Sequence, residues 1–185
     1  MPMQAVSAWG SDYKKKFEDA FKSALAGVDP TLKVWGDWTN FNAIGIEVAP
    51  PYKSTGLCKV TSFPIPSFSP MGTPVDSAIA LASSWKAWYS DIKFSVPPPT
   101  PPFSLITSVI PSPVGIEVAY AALLSGLIAE FTIIPPDPLT AFDLKGVAFG
   151  TLFHTACVSA GVQIDGIAIP GSPPPPLSLP LIPVL

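Results

Sequence analysis

Residues 111–131 read PSPVGIEVAYAALLSGLIAEF, and the pentapeptide inside them, Gly115 to Ala119, occurs once before, at residues 45–49 within FNAIGIEVAPPYK (41–53). If GIEVA marks a duplicated unit, the chain holds two small domains; if one string serves two structures, it holds one. The flanks decide. In the first copy Ile44, Ile46 and Val48 alternate with smaller or polar residues, and Pro50 and Pro51 lack the N–H a ladder needs, so a strand is expected. In the second copy Ile116, Ala119, Tyr120, Leu123, Leu124, Leu127 and Ile128 recur at helical spacing, so a helix is expected over about Pro113 to Phe131. A second near-repeat, AWGSDYK (8–14) and AWYSDIK (87–93), is offset by a different amount and opens one helix while closing another. Neither repeat requires a duplication, and the chain reads as one domain over 1–170 with an extended, proline-rich C-terminal arm over 171–185.

Working outward, the stretch before the first GIEVA, TLKVWGDWTNF (31–41), reads with it as strand, turn, strand, and Leu57 to Phe63 as a further strand. Ahead of these lies an amphipathic helix from about Ser11, its N-cap, to Ala26. Its stripe is Tyr13, Phe17, Ala20, Phe21, Ala24 and Leu25, and lysines and acids fill the opposite face. A second helix starts near Thr73 or Pro74 with Val75, Ala78, Ile79, Ala82, Trp85, Tyr89 and Ile92 on one face. SVPPPTPPF (95–103) reads as a stiff polyproline II connector, followed by the short apolar run SLITSVI (104–110). A last helix is expected from Thr140, where TAFD resembles a capping box, to just before Gly161. Within it the four-residue spacing of Gly146 and Gly150 marks a close helix crossing. VQIDGIAIPG (162–171) then alternates as a strand. The expected fold class is α+β and mainly helical: about four helices, a small antiparallel sheet and extended proline-rich connectors.

Composition excludes several classes of function. The chain has 185 residues, 48% of them hydrophobic, enough for a sizeable core. Only 12% are charged, and residues 1–60 hold seven of the ten lysines, so the later part is unusually bland. There is no arginine, the formal net charge is -3, and no basic stripe exists to bind a nucleic-acid backbone. The start lacks the basic and apolar regions of a secretory signal. Two segments approach the length of a membrane span, but 114–134 carries Glu117 and Glu130, and 146–164 carries His154, Gln163 and three glycines. Both read better as buried core helices. Two cysteines, Cys58 and Cys157, make no disulfide framework and read as small apolar residues.

Chemistry is scarce. The single histidine, His154, sits mid-helix near Thr155 and Cys157 without a nucleophile motif, and reads as a core residue. A zinc site would need His154 and Cys157 joined by Cys58 and a carboxylate, with no CxxC spacing to suggest it. Nucleotide, metalloprotease and calcium motifs are absent. No catalytic residue, metal or cofactor is expected, and no small-molecule substrate.

What remains is assembly. Residues expected to meet partners are Phe17 and Phe21 on the first helix, Pro97, Pro98, Pro99 and Phe103 in the connector, and Pro174, Pro175, Leu179, Leu181 and Ile182 in the arm. A preformed polyproline II shape lowers the ordering cost of laying such arms on a neighbour. In SSWKAWYSDIKF, the PPPTPPF connector, SPVGIEVAYAALLSGL and AFGTLFHTACVSAGV, over about residues 75–165, the chain resembles small structural proteins of tailed-phage virions. The resemblance implies a non-enzymatic subunit of capsid, neck, tail or baseplate, assembled in the host cytoplasm, with itself and other structural proteins as partners. The alternative is a membrane-associated protein using the apolar helices near 114–134 and 140–160.

Overall fold

The computed structural model describes residues 3–25, 33–43, 45–52, 63–69, 71–135, 137–169, 176–182 and 184–185. Among them are five helices and one three-stranded antiparallel sheet, an α+β fold that is mainly helical. Helices α1 (Val6–Leu25), α5 (Pro138–Ala160), α4 (Pro113–Thr132) and α3 (Pro74–Ser90) pack side by side in that spatial order, and α2 (Lys33–Ala43) lies on α1. Strands β1 (Phe103–Pro111), β2 (Val162–Ala168) and β3 (Pro176–Ile182) form the sheet in chain order.

Local signals explain three of these ends. At α3 the Thr73 hydroxyl accepts from the Asp76 N–H at 3.2 Å, and the Asp76 carboxylate accepts from the Thr73 N–H at 2.8 Å, a complete capping box. Pro74 follows as N1. Ser112 caps α4 in the same way, accepting from the Gly115 N–H at 3.2 Å. Gly161 ends α5 with φ of 56°, the left-handed conformation that glycine adopts without penalty. Two expected starts shift. Ser11 is internal to α1, its hydroxyl bonded back to the Ala8 carbonyl at 3.1 Å, and α5 begins at Pro138 rather than at Thr140.

The reading of residues 31–41 as strand and turn is corrected over its described part: residues 31–32 lie outside the described residues, and residues 33–41 belong to α2. Its β-branched and aromatic residues favour strands in isolation, but Trp35, Trp38 and Asn42, spaced three and seven apart, form one buried helical face. That face meets Trp9, Tyr13 and Phe17 of α1 and Phe149 and Phe153 of α5. Trp38 stands edge-on to Trp9 at 5.2 Å and to Phe153 at 5.0 Å, and its indole N–H donates to the Trp9 carbonyl at 2.9 Å. Burial of this aromatic cluster outweighs a weak local preference, and burial also pushes the Tyr13 hydroxyl pKa above its usual range.

The two GIEVA copies take different structures. The second lies in the first turns of α4. The strand expected in the first is not formed: Gly45 lies in a turn closed by the Ile46 N–H on the Ala43 carbonyl at 3.0 Å, Ile46 and Val48 are fully buried, and Val48 makes a single bridge to Val184. Ile44 and the expected strand start at Leu57 fall outside the described residues, as does Cys58. On α3, Val75 and Ile79 turn outward, while Leu81 and Trp88 join Ala78, Ala82, Trp85 and Tyr89 in the core.

The glycine spacing in α5 does mark a crossing. A Cβ on Gly146 would lie 2.6 Å from the Gly10 carbonyl oxygen, and one on Gly150 would lie 2.9 Å from the Gly10 nitrogen. The backbones of α1 and α5 therefore touch where only hydrogen fits.

Candidate assembly surface

Helix α4 is apolar around most of its circumference but buries only one stripe: Gly115, Ile116, Ala119, Leu123 and Leu127. Expected as a buried core helix, it instead exposes Val114, Val118, Ala121, Ser125 and Ala129 along the opposite face, with Val114 65% and Val118 62% exposed. These residues recur at helical spacing, so they line one continuous strip. On α5 the residues Val147, Thr151, Thr155 and Ser159, four apart, form a parallel exposed strip, with Val147 67% exposed. Between the strips runs a groove of about 270 Å³ lined by Ala119, Ala122, Leu123, Leu152, Thr155 and Ser159 among others. A second groove, about 540 Å³, continues across α1 and α5 between Val6, Ser7, Gly10 and Val147.

The charges on these helices are all answered within the chain. Helices α4 and α5 carry Glu117, Glu130, Asp143 and Lys145 and no other charged residue. Glu117 pairs with Lys86 of α3 at 2.6 Å, and the Lys86 ammonium also sits 5.1 Å over the Tyr120 ring. Glu130 pairs with Lys145 at 2.9 Å, and that lysine donates also to the Glu130 carbonyl. Asp143 pairs with Lys14 of α1 at 2.8 Å, raising the lysine pKa chiefly through that hydrogen bond. The exposed pairs contribute little to stability, but they leave the face electrically neutral, with its charges at the margins. Beyond the end of α4, Ile133 and Ile134 are 58% and 89% exposed, extending the apolar surface to the α4–α5 connection.

The residues expected to bind partners are placed mainly on the chain's own core. Phe17 stacks on Tyr13 at 4.0 Å and meets Trp35 at 4.6 Å, and Phe21 lies 5.7 Å from Phe142. Phe103 is 1% exposed against Tyr52, and Pro97 is buried, while Pro98 and Pro99 face outward. Leu179 and Ile182 are half-buried on the core side of β3; Leu181 also belongs to β3. Pro174 and Pro175 fall outside the described residues. The face of α4 and α5 was the surface not anticipated, although its signal is present: an uncharged strip opposite the apolar stripe looks the same in sequence whether buried or bare.

His154 lies at the α1–α5 contact, its ring edge-on to Trp9 at 6.4 Å, and burial lowers its pKa below the usual 6.5. Cys157 is fully buried. Among the described residues no three His, Cys, Asp or Glu side chains gather to hold a metal ion. Compared with protein families, characterised proteins and solved structures, the chain matches none.

Proposed function

We propose that this protein is a non-enzymatic structural subunit of a virion, docked into capsid, neck, tail or baseplate through the neutral face of α4 and α5. The observation that carries the assembly reading is the combination on that face: large exposed aliphatic side chains, small residues that let another backbone approach, and every local charge already paired. Contiguous exposed apolar surface is rare on monomers and marks a surface that a partner covers. The resemblance in style to tailed-phage structural proteins supplies the particle.

The decisive variants are Val118→Lys and Val147→Lys, which place unpaired charges on the strips without touching the core. Because both side chains are exposed, stability should stay within about 0.5 kcal/mol of the parent. The mass in solution by light scattering should fall from an oligomer to a single chain. A parent that is a single chain at all concentrations, alone and with candidate virion proteins, would end this reading.

One observation favours a second reading, a membrane association through α4. This helix has 20 residues with a mean hydropathy of 1.6 over its best window, and only 28% of that window is buried. Against it, crossing a bilayer would carry the Lys86–Glu117 pair, and with it α3, into hydrocarbon. Recovery of the chain only with detergent would select the membrane reading.

A further inference from the structure

The exposed face of α4 and α5 is laid out so that it fits itself. The two helices run antiparallel: Leu152 packs where a Cβ on Gly126 would sit, and Lys145 pairs with Glu130 further along. Ser125 on α4 is therefore level with Phe153 on α5. Large exposed side chains occupy diagonal corners, Val114 and Val118 near the start of α4 and Val147 in the first half of α5. Beside each corner the other helix is small. Ser159, near the end of α5, shares a groove with Ala119 and Ala122 by the first corner, and Ala129, near the end of α4, lies toward the second. Small exposed residues fill the middle: Ala121, Ala122 and Ser125 of α4 with Thr151 and Thr155 of α5.

A two-fold axis across this face at Ser125 brings each large corner onto a small one. Val118 and Thr132 lie seven residues either side of Ser125, so Val118 of each copy meets Thr132 of the other, and Ala121 meets Ala129. On α5, Val147 and Ser159 lie six residues either side of Phe153, so Val147 meets Ser159, and Thr151 meets Thr155. The surface is thus complementary to itself, as a closed two-fold contact requires, and small central residues let the two α4 helices approach closely. Hydroxyl donors on the face are already used within their own helices. Thr132 donates to the Ile128 carbonyl at 2.7 Å, Thr151 to that of Val147 at 2.8 Å, and Ser159 to that of Thr155 at 2.7 Å. A covering copy therefore leaves none of these donors buried without a partner. Each acid on the two helices is paired with a lysine at the margin, so the copies meet there without the repulsion that a net charge of -3 brings elsewhere. The size also suffices. Helix α4 has 20 residues, so the face is about 30 Å long and, at two helices wide, about 20 Å across. A pair then buries about 1,200 Å² in total, the lower end for specific contacts between proteins.

We propose that two copies of this chain pair face to face about a two-fold axis that crosses α4 at Ser125, with the two α4 helices antiparallel. The pairing rests on the assembly reading and names the partner of that face, a second copy. The test is Ser125→Cys in a full-length chain carrying Cys58→Ser, oxidised while dilute, alkylated and run on a non-reducing gel. Ser125 meets its own copy at the axis, so one cysteine suffices to join the chains. A band of twice the chain mass is expected, and reduction collapses it. Ser90→Cys, exposed on α3 outside the face, should stay at the mass of one chain, and Val118→Lys added to Ser125→Cys should abolish the doubled band. No doubled band from Ser125→Cys overturns the pair. An equal band from Ser90→Cys overturns it too, since random collision then joins the chains. If Ser125→Cys does not fold, Ala121→Cys with Ala129→Cys, opposed across the same axis, gives the same reading. A light-scattering mass that is a multiple of one chain, without the Ser125 disulfide, ends the two-fold pair and leaves the assembly reading. A single-chain mass, alone and with candidate virion proteins, ends both.

Discussion

Tyr89 shows how one buried hydroxyl joins distant parts of the chain. Its oxygen lies 3.1 Å from the Cys157 carbonyl oxygen and 3.2 Å from that of Gly161, so its single proton is shared between two carbonyls at the end of α5. Terminal helix carbonyls lack intrahelical donors, and a buried one that loses its partner is costly. Tyr89→Phe keeps the ring and should cost about 1–2 kcal/mol in chemical denaturation, with the assembly face unaffected. His154 gives a pH dependence of definite sign. Burial lowers its folded pKa below the usual 6.5, so between those values the unfolded chain binds a proton that the folded chain does not. Its contribution is complete above about pH 6.5 and is lost as pH falls toward the folded pKa. Urea midpoints measured from pH 7.5 down to pH 5 should fall, and His154→Phe should flatten that part of the slope. A slope unchanged by the substitution would assign the acid sensitivity elsewhere.

At the scale of elements, the crossing of α1 and α5 depends on two backbones in contact. Gly146→Ala places a methyl where only 2.6 Å separates it from the Gly10 carbonyl oxygen, and that neighbour is backbone with no rotamer to yield. The helices must part, at about 1–3 kcal/mol, although alanine is the better helix former. A variant as stable as the parent in thermal unfolding would mean the crossing relaxes freely. The spacing of Gly146 and Gly150 was legible as a crossing, but its partner was not, because nothing near Gly10 announces which helix it meets. Helix α2 shows the reverse. Its segment reads as strand and turn, because Trp35 and Trp38 suit a strand or a helix until Trp9, Tyr13 and Phe153 are placed around them. Their edge-on contacts reward the helical spacing.

Across the whole molecule, α3, α4, α5 and β2 were legible because their signals are short in range: periodic apolar residues, the Thr73 cap with Pro74, and Gly161 at a stop. The neutral face of α4 and α5 was legible only as apolar helix. Whether Val114 and Val118 meet a neighbour within the chain or remain bare depends on what the chain can lay around α4, and among the described residues its main neighbours, α3 and α5, leave that face exposed. The tail was legible as extended and uncharged, but not as a strand seated on β2. By itself the sequence determined the predominance of helix, the small sheet, the starts of α3 and α4, the stop of α5 and the scarcity of charge. Tertiary structure alone decided that the first GIEVA makes a single bridge and no full strand, that residues 33–43 form a helix, and which apolar face stays exposed. The physical reason is that caps and periodicity act over a few residues, whereas burial depends on partners far away in the chain, and its free energy exceeds the local preferences it overrides.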